Sequence, residues 1–164
     1  MNLVTFNALP TSAAQAAIAH CVAILRWQQA LAAARPFASQ AALLAEAERL
    51  AQTWNSDDLE QALSAHPRIG ERASGADKEA ALSRQEQVAM SDADAALKRA
   101  MQAGNRAYEA RFGRVFLIRA KGRSGEEMLA QLQRRLTNDE PTEAREALEQ
   151  LREITLLRLK ESLT

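Results

Sequence analysis

The chain has one cysteine among 164 residues, so it can form neither an internal disulfide nor a thiolate zinc cluster. A lone thiol, Cys21, points to a reducing compartment. Aromatics are only 4%, which leaves the core to Ala and Leu. Charge of one sign is also lacking: 21 basic and 21 acidic residues cancel, and the pI is about 6.8. Nucleic-acid backbones demand clustered cations, so no nucleic-acid partner is expected. No apolar run reaches the ~18 residues of a membrane span. Met1 to Leu9 lacks the basic-then-apolar layout of a secretory signal, and "KESLT" is not a peroxisomal address. A soluble, cytoplasmic protein is expected. There is no H-E-x-x-H, DxDxDG, Gly-rich phosphate loop or G-x-S-x-G elbow, so neither metal nor nucleotide is expected.

What is present is helix pattern. Apolar residues make up 47%, enough for a core in a single domain spanning residues 1–164. Pro10-Thr11-Ser12 opens helical sequence to about Ala34, with a break near Ala23, and Pro36 ends it. Ser39 caps a helix whose Leu43, Leu44, Ala47, Leu50, Ala51 and Trp54 form one stripe. Asn55-Ser56-Asp57 stops it, and "DDLEQALSAH" gives a short helix after an Asp or Ser cap. Residues 66–82, holding Pro67, Gly70 and Gly75, read as a loop, and 83–90 as a brief helix. A long helix over 91–113 carries Leu97, Met101, Gly104, Ala107, Tyr108 and Phe112 on one face, and Gly113 fits its end. "RVFLIRA" is extended or strand-like. Ser124-Gly125-Glu126-Glu127 has capping-box spacing and opens another helix, and the last runs to about Leu163. The sum is an all-α bundle of about seven to nine helices, with a short extended segment near 114–120.

Three groups stand out, each with a plainer explanation beside it. The "HPRIGER" stretch sets His66 before a proline, which pushes the preceding residue out of α geometry and lets the ring project into a cleft. The plainer account is a helix-terminal histidine beside the macrodipole's negative end. In "SRQEQ", Ser83 and Glu86 have capping-box spacing, which explains both without a ligand. The same segment, with Gln87, could offer helix N–H groups, acceptors and a donor to ureido-type groups. Arg158 falls within the apolar series Leu151, Ile154, Leu159, where a guanidinium is unusual unless it is paired or reaches a ligand; snorkelling would also serve. His20, amid Ala, Ile and Cys, reads as a core-edge residue.

"RW" at 26, "RPF" at 35, "HPRIGE" at 66, "SRQEQ" at 83, "NRAYEARFG" at 105, "FLIRAKG" at 116, "RRLTND" at 134 and "ITLLRL" at 154 occur in one order over nearly the whole chain. In combination they resemble the OHCU decarboxylase family, which acts on 2-oxo-4-hydroxy-4-carboxy-5-ureidoimidazoline (OHCU) in the route from uric acid to (S)-allantoin. The resemblance implies an all-helical, cofactor-free carboxy-lyase, cytoplasmic here and often homodimeric. It implies His66 as the catalytic imidazole, with Glu86 assisting. Substrate contacts would come from Pro67, from Ser83, Arg84, Gln85, Glu86 and Gln87, from Phe116, Leu117, Ile118, Arg119 and Ala120 (partly through main chain), and from Arg158. The family commonly has Phe-Pro after Phe-Gly, where this chain has Arg114-Val115. A helical interaction module without chemistry, or a ureide hydrolase, are the alternatives.

Overall fold

In a computed structural model, residues 1–64, 68–69, 78–86 and 95–164 are described, residues 78–80 and 84 by backbone alone. The described residues form nine helices and no strand. They are α1 (Leu3–Ala8), α2 (Thr11–Ile18), α3 (Leu25–Ala33), α4 (Gln40–Ala51), α5 (Ser56–Leu63), α6 (Lys78–Glu86), α7 (Ala95–Phe112), α8 (Gly125–Arg135) and α9 (Glu140–Ser162). The all-α expectation holds. No described helix is long and apolar enough to cross a membrane. The chain divides into two compact units: Met1–Ala62 with Arg152–Thr164, and Leu63–Leu151.

The first unit is built by short helices around two tryptophans, and side chains cap three of them, α1, α4 and α5. Asn2 caps α1 by accepting from Thr5 N, and Ser39 caps α4 by accepting from Ala42 N at 3.0 Å. At α5 the cap is Asn55, rather than the Asp or Ser expected from sequence. Its Oδ1 accepts from Asp58 N at 3.1 Å, while its own N–H donates to Asp58 Oδ2 at 2.9 Å. This reciprocal pairing satisfies two donors that a helix start leaves open. The Trp27 indole donates to Ala47 O at 3.1 Å and meets Trp54 edge-on, 6.4 Å between centroids. Arg26 crosses to Asp58 and to Thr53 Oγ1, and Arg35 donates to Phe6 O, Leu9 O and Ala32 O, which ties α1 to the end of α3. Those contacts give "RW" and "RPF" structural work.

The second unit packs α7 against α8 over a core of Ile69, Met101, Tyr108, Phe116, Ile118, Ala120, Met128 and Leu132. Gly104 permits the approach, since a Cβ there would lie 2.5 Å from Leu132 Cδ2. Ser124 caps α8 as its spacing predicts, accepting from Glu127 N at 3.1 Å, and Gly113 ends α7 with φ +71°. Residues 115–120 are extended without joining a sheet.

Beneath them lies a buried polar knot. Arg135 and Glu143 are 2% and 0% exposed and pair at 2.5 Å. Tyr108 donates to Glu143 Oε2 at 2.5 Å, and Arg135 NH1 donates to Leu117 O at 2.7 Å while the guanidinium stacks 4.6 Å from the Phe116 centroid. Burial, then the adjacent Glu143 carboxylate, holds the Tyr108 phenol far above its usual range.

Three further expectations are corrected. Residues 78–82 are helix rather than loop, because Lys-Glu-Ala-Ala-Leu are all good helix formers even without an apolar stripe. Ser83 is therefore inside α6 and not at its N-terminus, and the notion of free helix N–H groups at Ser83 goes with it. On α7, Ala107 is exposed and Asn105 takes its place on the buried stripe.

Truncating one partner of a buried ion pair strands the other charge, which costs about 3–5 kcal/mol. Denaturant unfolding of Glu143→Ala should show a loss of that size, and Tyr108→Phe about 1.5–3 kcal/mol. Glu146 accepts from Arg134 NH2 at 2.7 Å, and this bond holds its carboxyl below the usual 4.5, against a smaller opposing effect of burial. A depressed folded value means stability that is present above pH about 4.5 and lost as pH falls through the folded value. The melting-temperature gap between wild type and Glu146→Gln should accordingly close on acidification; a gap that persists in acid contradicts the assignment.

Candidate functional site

Of the sequence-singled residues, His66, Pro67 and Gln87 lie outside the described residues. The two residues that follow Pro67 are described, and both are tied to α7. Arg68 Nε donates to both Glu109 carboxylate oxygens at 2.9 and 3.0 Å. The Ile69 carbonyl accepts from Asn105 Nδ2 at 2.6 Å, and its side chain is buried in the second unit's core. An open cleft of about 370 Å³ runs here, lined by Arg68, Gln102, Asn105, Arg106 and Glu109.

Phe116, Ile118 and Ala120 belong to the same core cluster as Ile69. The chain that leaves Pro67 and the extended segment are thus brought together around one apolar centre. The side chains of Phe116, Leu117, Ile118 and Ala120 are all buried, so what this segment can present to a ligand is largely its backbone. Part of that backbone is already engaged: Arg119 N donates to Gln150 Oε1 at 2.9 Å, Leu117 O accepts from Arg135, and Arg119 O accepts from Arg123 Nε at 2.9 Å. Gly122, with φ +82°, turns the chain immediately afterwards. The departure at Arg114 is accommodated outside this segment, since its NH1 donates to Glu140 Oε1 at 2.6 Å.

Ser83, Arg84, Gln85 and Glu86 form the last turn of α6. Ser83 is 2% exposed, Glu86 is half-buried and Gln85 is exposed. Residues three apart share a helix face, so Ser83 and Glu86 look the same way while Gln85 points outward. With Ser83 inside the helix, the capping box no longer accounts for the Ser-x-x-Glu spacing.

Arg158 belongs to the first unit and is 2% exposed, which rules out snorkelling. Its NH1 donates to His20 O at 3.3 Å. Ser162 Oγ donates to Arg158 O at 2.8 Å and lies 2.6 Å from His20 Nε2. His20 is therefore a core-edge residue, as read from sequence, and it braces the backbone on both sides of that guanidinium.

Sequence reasoning missed Asn105, Arg135 and Glu143. Asn105 left two signals, its place at the head of the "NRAYEARFG" motif and a polar side chain four residues after Met101 and three before Tyr108 on an otherwise apolar stripe. Arg135 stood in the "RRLTND" motif without a role, and Glu143 left no signal, because each makes sense only through the other and through Leu117.

The OHCU decarboxylase family model matches residues 7–160. A 2-oxo-4-hydroxy-4-carboxy-5-ureidoimidazoline decarboxylase from Haloferax volcanii is 31% identical over 127 residues, which is 77% of this chain and 74% of that protein. Among solved structures, an OHCU decarboxylase crystallised in the presence of (S)-allantoin superposes with TM-score 0.74 at 26% identity, over 87% of this chain and 94% of that one. An (S)-allantoin synthase shares the fold, with TM-score 0.73 at 17% identity, over 99% of this chain and 54% of that one. A model matched over nearly the full length and a relative above 30% identity lead to one conclusion: the chain belongs to the OHCU decarboxylase family.

Proposed function

We propose that the chain decarboxylates OHCU to (S)-allantoin in the breakdown of uric acid, with His66 as the proton-transfer group. The observation that carries the reading is the family match over residues 7–160. The fold shared with an OHCU decarboxylase crystallised with (S)-allantoin supports it.

The substrate suits a protein that supplies only orientation, charge and a proton. OHCU carries its carboxylate on a carbon beside a ring C=N. As the C–CO₂ bond breaks, its electron pair forms a ring C=C bond and the imine electrons move to nitrogen, which takes a proton. The resulting enol then loses its hydroxyl proton, while the ureido-bearing carbon gains one on a single face. The electron sink is built into the substrate, so cofactor-free catalysis is part of the proposal.

His66 handles these protons, because an imidazole titrates near pH ~6.5 and both its forms are present around neutrality. Such catalysis is worth roughly 10²–10⁴ in rate. Glu86 holds the imidazole or the ureido arm, and Gln87 meets the ureido carbonyl. Pro67, Ser83, Arg84, Gln85 and the backbone of Phe116, Leu117, Ile118, Arg119 and Ala120 complete the contacts. Arg158 anchors the substrate's negative charge. Cytoplasmic location and a homodimer belong to the same reading, and light scattering on the purified protein measures the latter.

CO₂ release from freshly made OHCU, corrected for spontaneous decay, is the direct test. The wild type should exceed background, and release equal to background contradicts the activity. Glu86→Gln should lower turnover more than stability; a lower melting temperature with unchanged kcat would return Glu86 to a structural role. Arg158→Lys should mainly raise KM, since an ammonium keeps the charge but loses the planar fork. Unchanged kinetics would remove it from the site.

A further inference from the structure

Asn105 is a polar side chain in an apolar stripe, 3% exposed, and only half satisfied. Its Nδ2 donates to Ile69 O at 2.6 Å, while its buried Oδ1 meets no hydrogen-bond partner among the described residues. The amide can face a carbonyl only with its nitrogen, so this orientation is forced by the chemistry of the contact. A buried unpaired acceptor costs on the order of 1–3 kcal/mol, and an aliphatic residue at 105 would remove that oxygen only by taking the donor from the buried Ile69 carbonyl, so the two effects are of similar size. What the asparagine does is grip one backbone atom, the carbonyl of Ile69.

That atom is three residues from His66. Consecutive Cα atoms are ~3.8 Å apart, so fixing residue 69 limits where residue 66 can stand. Pro67, between them, removes one φ rotation from the span. The grip is reinforced on either side: Arg68 is clamped by Glu109, one turn further along the same helix, and Ile69 is wedged against Phe116, Ile118 and Ala120. Of these contacts, the Asn105 bond alone is both buried and directed at main chain.

We propose that Asn105 is a positioning residue for the decarboxylation, fixing the His66 segment through the Ile69 carbonyl. The inference rests on the reading of His66 as the proton-transfer group. In this role Asn105 acts through the backbone at residue 69, setting the register of the chain that carries the imidazole, and not on the reacting atoms.

The test uses the two-histidine composition of the protein. The imidazole C–H proton NMR spectrum should show two sets, one from His20 and one from His66, and His66→Asn identifies the second. Asn105→Ala and Asn105→Asp are then compared with wild type. The first deletes the donor, and the second, once ionised, sets an oxygen against the Ile69 carbonyl. Both should keep the helical circular dichroism, shift the His66 resonance and leave that of His20 in place. Their kcat on OHCU should fall roughly tenfold to a hundredfold, as expected for a misplaced catalytic group, with KM little changed. A folded variant with an unmoved His66 resonance and wild-type kcat overturns the proposal. So does a rise in KM at constant kcat, which would make Asn105 a binding residue. Should one variant not fold, the other decides by the same criteria. The resonance shift is read without substrate, so an inactive wild type would sink the functional reading while leaving the Asn105–His66 coupling separately testable.

Discussion

The second unit turns on the guanidinium of Arg135. It spends Nε and NH2 on Glu143, NH1 on Leu117 O and its face on Phe116. Glu143 in turn accepts from Tyr108 of α7 and from Asn138 ahead of α9. Three helices, α7, α8 and α9, thus meet at one ion pair together with the loop ahead of α9, and so does the extended chain over 115–120. A buried pair is a poor source of net stability, because desolvation offsets its attraction. Its value here is directional. An aliphatic core would accept several registers of a segment as apolar as Phe116-Leu117-Ile118, whereas a fork aimed at one carbonyl accepts one.

Helix α7 takes part in two such holds, one directly through Asn105 and one through the Glu143 carboxylate that Arg135 grips. Tyr108 reaches the knot that holds the extended segment, and Asn105, one turn earlier, holds the chain behind Pro67. Both segments carry residues proposed to serve the substrate, and both are pinned by side-chain bonds to backbone rather than by a sheet. An all-helical protein has no ladder with which to register extended chain, so single hydrogen bonds from rigid helices do that work. Preorganisation of this kind is what a decarboxylation needs when the substrate supplies its own electron sink.

The features legible in the sequence are those whose cause is local. Ser39 and Ser124 accept from an N–H three residues on, so the cap is written in adjacent letters. Gly113 ends α7 because its φ is positive, and Arg158 stood out as a charge in an apolar series that is indeed buried. The failures are of two kinds. Helix α6 begins at Lys78 with good formers but no stripe, and nearby glycines made it read as loop. The partners of Tyr108, Arg135 and Asn105 stand 35, 8 and 36 residues away, and no spacing rule announces them. The site was legible mainly as an ordered set of motifs, because the residue types alone allowed a structural explanation for each.

Stereochemistry tests the central claim most directly, since spontaneous decay of OHCU can set no handedness while a fixed imidazole protonates one face. Freshly generated OHCU, supplied to the purified protein with chelator present, should yield optically active allantoin of the S form. His66→Ala, folded by circular dichroism, should yield only the racemate at the background rate. Optically active product from His66→Ala at the wild-type rate, or racemic product from the wild type, would contradict the account.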